Sequence, residues 1–487
     1  MKKELFILHP SSFIINSYDF LWLSIALFPL LIIAILLPIQ PHDYWWYLRL
    51  GKDVLQNAAV PVVDTYSSIQ AGQPIVYQSW LSAVIFWLVF KVNGISSTIL
   101  LVAVVIGITY ATLWAMMRQV GVGPRLATLL TLLAGLSGSN NWGVRPQLFT
   151  YPLFLTVLWI LLKWQNREQK FLWLLVPLSF IWANLHGSFI LFFFLVGLAF
   201  VFGNGDRKKL FWIVLVALAV TLINPRGLVL WQSVIGTFMS PGIRNLSPEW
   251  LPPLNQGWQM NIFFAWLILL VPLAAFARHR LSAFEWILFL SFSWLALTGI
   301  RYVIWDLFII SILTASLMPE FVIQKFDQTQ GATIPSLNYA LGILFLLMPL
   351  MLLPGLRDGW WKKSPPVLDP QTPVAAADWL ALHPELPGPM WNDVVFGSYL
   401  IHAAPSRPVW IDTRIQVIYT AEQAEDYLFV QSAQPGWDVF LEANKVNLLF
   451  LASTQPTLVK AVQNSSQWCK QYQDDVALIF SRCEPLP

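Results

Sequence analysis

The sequence predicts an α-helical polytopic membrane bundle of about 11 spans followed by a small α/β soluble domain. Three observations carry this expectation. Of the 487 residues, 57% are hydrophobic and 11% charged, whereas a soluble domain carries about 25% charged residues. Apolar runs take up most of the first 356 positions, with lengths near those of membrane helices. After Gly355 the composition turns polar, and Pro365-Pro366 and Pro370 mark a linker. The expected organisation is a multi-pass module over residues 1–356, with an outer loop at 41–96, and an extracytoplasmic α/β domain over 357–487.

The chain opens with Met1-Lys2-Lys3 and an apolar run from about Phe20 to Leu37. No small-residue cleavage site follows, so this reads as a retained first helix and not a cleaved signal. Ten further runs lie near 97–116, 124–139, 148–162, 171–184, 187–202, 210–223, 261–277, 283–299, 302–318 and 338–356. Several are shorter than the ~20 residues of a perpendicular span. The still shorter run 80–90, between Gln78-Ser79 and Lys91, reads as an outer-surface helix.

Charge distribution supports that choice. With 80–90 left out, the cytoplasmic side receives Lys2, Lys3, Arg118, Arg125, Lys163, Arg167, Lys170, Arg207, Lys208, Lys209, Arg278, Arg280 and Lys325. Counting it as a span would move Arg118 through Arg280 outside. The N-terminus is then cytoplasmic and the C-terminal domain extracytoplasmic, in a bacterial inner membrane. The net charge of +3, with no Lys/Arg run beyond three, indicates neither a nucleic-acid surface nor a polybasic lipid patch. Two cysteines, Cys469 and Cys483, with no C-x-x-C spacing, exclude a cysteine zinc site and a thioredoxin-like motif. Their proximity permits one disulfide.

In the C-terminal part, helices are predicted over 374–382, 395–402, 421–431, 438–443 and 456–463. Strands are predicted over 390–392, 409–412, 446–452, 468–472 and 476–481. Alternation of this kind describes a small α/β domain. It holds no Gly-rich phosphate loop and no Ser/His/Asp signature.

The unusual polar residues fall at the outer ends of spans: Asp43, Arg145, Asn184, His186, Asn224, Arg226, Glu249 and Arg301. Such groups near hydrocarbon usually face the bundle interior or a cavity. In Pro41-His42-Asp43-Tyr44-Trp45-Trp46-Tyr47, directly after the first span, Asp43 could take a proton from an acceptor hydroxyl or orient a divalent metal, Mg or Mn. Trp45 and Trp46 could stack on a sugar or lipid. The plainer reading is an interfacial aromatic belt with Asp43 capping the next helix.

Asp64, in a loop of turn residues, is a second candidate acid whose plainer role is the turn itself. Arg145, in Trp142-Gly143-Val144-Arg145-Pro146-Gln147, could fork onto a phosphate, or snorkel to headgroups. Arg301 has the same two readings. His186, in Asn184-Leu185-His186-Gly187, could donate to a phosphate or act as acid/base, or be a structural histidine. Asn224-Pro225-Arg226-Gly227 and Pro248-Glu249-Trp250 add a cation and an acid, and helix termination accounts for the first. Pro408-Val409-Trp410-Ile411-Asp412-Thr413-Arg414 sets Asp412 and Arg414 at the end of a predicted buried strand, where open α/β sheets bind ligands. A structural contact between these two, or docking on the membrane part, is the alternative.

Taken in order, Asp43-Tyr44-Trp45-Trp46, Arg145-Pro146-Gln147, Asn184-Leu185-His186-Gly187, Asn224-Pro225-Arg226-Gly227 and Ile411-Asp412-Thr413-Arg414 give most of the chain a resemblance to the GT-C superfamily of integral-membrane glycosyltransferases. The resemblance is closer to uncharacterised bacterial multi-pass members with a C-terminal extracytoplasmic domain. It implies transfer of a sugar from a polyprenyl-phosphate donor to a glycan, lipid or protein acceptor, with Asp43 as the acid of the first outer loop. It also implies that Arg145, His186, Arg226 and Arg301 stabilise the departing phosphate. Asp43 has no adjacent acid and the 140–147 turn contains none, a departure that bears on metal use. Two other classes compete. A transporter or flippase of lipid-linked substrates would need polar residues near the bilayer midplane, and a non-catalytic envelope assembly protein would use the bundle as an anchor.

Overall fold

In the computed structural model, residues 15–239, 248–319, 322–324 and 334–486 are described. Lys2, Lys3 and Lys325 lie outside them. The chain is mainly helical, with one small mixed sheet. All eleven apolar runs fold as helices. Six helical stretches are long and apolar enough to cross a membrane by length and composition: Ser17–Leu36, Trp80–Val120, Pro146–Gln165, Gly257–Phe276, Ile300–Leu317 and Pro335–Leu352. Leu172–Leu185, Gly187–Phe202 and Ala283–Thr298 are shorter, so the count of eleven spans rests on the sequence alone. As expected, the 80–90 run folds as a helix of its own, set off by a kink from the helix that follows it. It opens Trp80–Val120, whose helical path breaks at Asn93 (φ −155°) and Gly94 (φ 55°), where glycine tolerates the left-handed region.

The chain divides into two compact units. The first comprises residues 1–37, 92–227 and 249–364. Its most enclosed helix is Val303–Leu317, buried at every position except Ser316. A helix apolar all round belongs inside a bundle. It packs on Ala283–Thr298, Pro124–Gly138 and Gly257–Phe276. Gly138 permits the approach, since a Cβ there would lie 2.6 Å from Ile304 Cδ1. The hydroxyls of Ser311 and Thr314 bond back to Leu307 and Ile310 carbonyls at 2.5 and 2.6 Å, which satisfies them without water.

The second unit comprises residues 38–91, 228–248 and 365–487. Its sheet runs β1 (Met390–Asn392), β2 (Leu448–Ala452), β4 (Ala477–Arg482), β3 (Trp468–Gln473). β1 and β2 are parallel, and the other pairs antiparallel. β2 is buried at all five positions, as its unbroken Leu448-Leu449-Phe450-Leu451-Ala452 run requires. Trp391, Leu449, Leu451, Leu458, Leu478 and Phe480 belong to the core between sheet and helices. Cys469 and Cys483 are disulfide-bonded, with Cα atoms 5.1 Å apart.

One predicted strand is absent. Residues 409–412 form no ladder, and Val409 makes only an isolated bridge to Ser67. The Asn392 side chain takes the ladder's place, accepting from Trp410 N at 2.7 Å and donating to Ile411 O at 2.8 Å. Asp412 and Arg414 therefore end a side-chain-tethered segment and not a sheet strand.

A pH-dependent stability follows from His402, on the helix Val394–Ala403. It packs against Trp45 and Phe90. Burial, reinforced by Lys52 and Arg49, pushes its imidazole down from 6.5 to about 4. The folded side chain stays neutral where the unfolded one takes a proton, so stability is full above pH 6.5 and falls as pH drops toward 4. The loss is up to about 3 kcal/mol. Unfolding midpoints of the detergent-purified chain across this range, compared with His402→Gln, check this. An equal slope in the variant would remove the assignment.

Candidate active site

In the second unit, Asp43 stands just before the helix Tyr44–Asn57. Its carbonyl accepts from Tyr47 N at 3.2 Å, but its side chain makes no capping bond. The carboxylate instead accepts from the Thr413 hydroxyl and from Trp46 Nε1 at 3.4 Å. Trp45 and Trp46 are buried. Trp45 donates to Gln40 O at 3.0 Å and meets Tyr399 edge-on at 4.8 Å. Trp46 lies against Tyr47 and Tyr77, with the Arg414 guanidinium 5.9 Å from its ring centre.

Asp64 closes the turn of its loop, its Oδ2 accepting from Ser67 N at 2.9 Å and Oγ at 2.7 Å. Its Oδ1 pairs with Arg414 at 2.5 Å. Arg414 also grips Asp412, through Nε at 2.9 Å and Nη2 at 2.7 Å, and donates to Tyr77 Oη at 3.1 Å. All three charged side chains are at most 1% exposed. Burial alone would push the Arg414 guanidinium down; Asp412 beside it, with Tyr77, outweighs that and holds it well above its usual value. A fixed cation between two carboxylates is the arrangement a buried charge needs. The 411–414 segment is also pinned at Gly397, where an added Cβ would lie 2.1 Å from the Ile411 carbonyl oxygen.

The first unit gathers a different set. Arg145, extended before Pro146 as such residues are, pairs with Glu249. Arg301 sits 4.2 Å from the centre of the Trp250 ring, a cation–π distance. Glu249 and Trp250, adjacent in the chain, thus bring Arg145 and Arg301 to one end of the unit. His186 Nδ1 accepts from Ser188 N at 3.1 Å, and Ser188 Oγ is 2.8 Å away. Arg226 belongs to its own turn, with its N donating to Asn224 Oδ1 at 2.8 Å. Among the described residues its Nε is buried without a hydrogen-bond partner.

Two guanidiniums, offset by one carboxylate, leave this cluster suited to an anion. Among the described residues no group of three or more His, Cys, Asp or Glu side chains could hold a metal ion. The Thr413 hydroxyl gives its proton to the Asp43 carboxylate, and the Trp46 indole N–H beside it is a donor with no lone pair for a metal.

Sequence reasoning passed over Thr413 and Ser398, whose hydroxyls carry no pattern of their own. It also missed Asp306, a fully buried carboxyl in Val303–Leu317 that accepts from Ser293 Oγ at 3.2 Å.

The fold is that of the GT-C membrane glycosyltransferases. Among solved structures, the chain is similar to the archaeal oligosaccharyltransferase AglB from Archaeoglobus fulgidus, in complex with an inhibitory peptide and a dolichol-phosphate. The TM-score is 0.60 at 12% identity, over 88% of this chain and 69% of that one. ArnT from Cupriavidus metallidurans, bound to undecaprenyl phosphate, gives 0.52 at 12% identity, over 95% and 97%. Arabinofuranosyltransferase AftD from Mycobacteria gives 0.54 at 14%, over 94% of this chain and 41% of that one. No protein-family model matches the sequence, and no curated protein matches it either.

Proposed function

We propose that this chain is a membrane glycosyltransferase moving a sugar from a polyprenyl-phosphate donor to an extracytoplasmic glycan, lipid or protein acceptor. The supporting observation is a GT-C fold in which the first acid after the first apolar helix, Asp43, is turned away from helix capping and held by side-chain donors. Asp43 takes the proton of the acceptor hydroxyl as its oxygen bonds to the anomeric carbon. The bond from that carbon to the phosphate oxygen breaks, and its electron pair leaves with the polyprenyl phosphate. No covalent enzyme intermediate is required.

Arg145 and Arg301, with His186 beside them, are assigned to the donor's phosphate charge. Arg226 is a further cation for that task. Asp64, Asp412 and Arg414 are assigned to holding the outer loop, and Glu249 to holding Arg145. The distribution of arginines and lysines supports a bacterial inner-membrane location with a cytoplasmic N-terminus and the α/β domain outside.

The test is a mass comparison of envelope polysaccharides, glycolipids and glycoproteins from cells with the wild-type chain, without it, and with Asp43→Asn at equal level. A glycan missing in both altered strains names the product. An envelope changed by deletion but not by Asp43→Asn overturns the catalytic assignment. Separately, Arg145→Ala is expected to weaken polyprenyl-phosphate binding by about 10- to 100-fold, the worth of a charge-assisted pair. Native mass spectrometry of the purified chain reads this. Unchanged binding would return Arg145 to a tie with Glu249.

A further inference from the structure

We infer that Thr413 is a positioning residue for the Asp43 carboxylate, so that the reacting acid of the outer loop is aimed by a hydroxyl relay in the C-terminal part. The inference rests on the reading of Asp43 as the base. Thr413 Oγ1 donates to Asp43 Oδ1 and lies 2.6 Å from Ser398 Oγ. A hydroxyl has one proton to give, so with Thr413's proton on the carboxylate, Ser398 donates to Thr413. The order is Ser398 to Thr413 to Asp43, and each bond polarises the next. Ser398 is fully buried, and Thr413 N reaches its Oγ at 3.4 Å.

The relay is anchored on both sides. Asp412 and Arg414, the two neighbours of Thr413, are locked in the buried ion cluster with Asp64. Ser398 follows Gly397, where helix and loop touch. Asp43, by contrast, leaves its own helix N-terminus uncapped to take this bond, although an acid at that position normally accepts from the first-turn N–H groups. Trp46 Nε1 approaches the same Oδ1, so the two donors together fix the plane of the carboxylate. Fixing a base within a fraction of an ångström is worth more to a rate than to binding.

The experiment uses membranes from cells lacking the chromosomal copy and expressing the full chain as wild type, Thr413→Val, Thr413→Ser or Asp43→Asn. Formation of the glycan that deletion removes is followed over time. The purified proteins are compared for unfolding midpoint and for binding of polyprenyl phosphate. Thr413→Val keeps shape and removes the hydroxyl. It is expected to slow transfer about 10- to 100-fold with carrier binding and midpoint unchanged, and Thr413→Ser is expected to recover to within about twofold. Loss of transfer in both Thr413 variants, or loss together with the midpoint, makes the residue a packing element and overturns the inference. Asp43→Asn inactive with Thr413→Val at the wild-type rate overturns the positioning role alone. Transfer retained by Asp43→Asn overturns the underlying reading as well.

Discussion

Asp43→Asn is expected to lower transfer by about 10²- to 10⁴-fold, the usual contribution of a positioned general base. The substitution is nearly isosteric. An amide oxygen still accepts from Thr413 and from Trp46 Nε1, as this carboxylate does, so position survives while basicity is lost. Transfer measured in membranes, alongside the unfolding midpoint of the purified variant, separates the two. A rate within about threefold of wild type would remove Asp43 from the chemistry.

The second large effect is on folding. Arg414→Leu leaves Asp64 and Asp412 buried together without their shared cation. Removing one member of a buried ion cluster costs about 3–5 kcal/mol, and here two like charges are stranded. The second unit is expected to become protease-sensitive and its unfolding midpoint to drop. Adding Asp64→Asn and Asp412→Asn to Arg414→Leu is expected to recover part of the loss, because the uncompensated charges are gone. An unchanged midpoint in Arg414→Leu would mean that water reaches this cluster. Transfer falls with stability, since Thr413 sits between the two locked residues.

The helices were legible because an apolar run of sufficient length has few other ways to satisfy its backbone. Pro456 at a first helical position marked 456–463 to the residue. The 409–412 segment misled for a physical reason. Val409, Trp410 and Ile411 have strand-forming side chains, but Val409 pairs with the distant Tyr66 and Ser68 backbone and Trp410 and Ile411 with one amide group on Asn392, which no periodicity announces. Asp64 was legible as a turn acid, and its Ser67 bonds bear that out. Its pairing with Arg414 was not legible, because the contact spans the chain and either residue alone looks like ordinary surface charge. The helix Ile415–Ile418 was not legible either, because four residues are too few to show a helical period.

The pairing of Asp64 with Arg414 closes a chain separation of 350 residues. A ribosome adding about 5–20 residues per second needs roughly 20 to 70 s to cover it. For that interval the newly made segment has Asp43 and Asp64 but neither the guanidinium nor the hydroxyl that they meet in the folded chain. The loop that carries Asp64 therefore gains its buried cation only after most of the chain has been made. On the function proposed above, a chain interrupted before Thr413 would lack the hydroxyl that aims Asp43, and a stalled or clipped product would be inert.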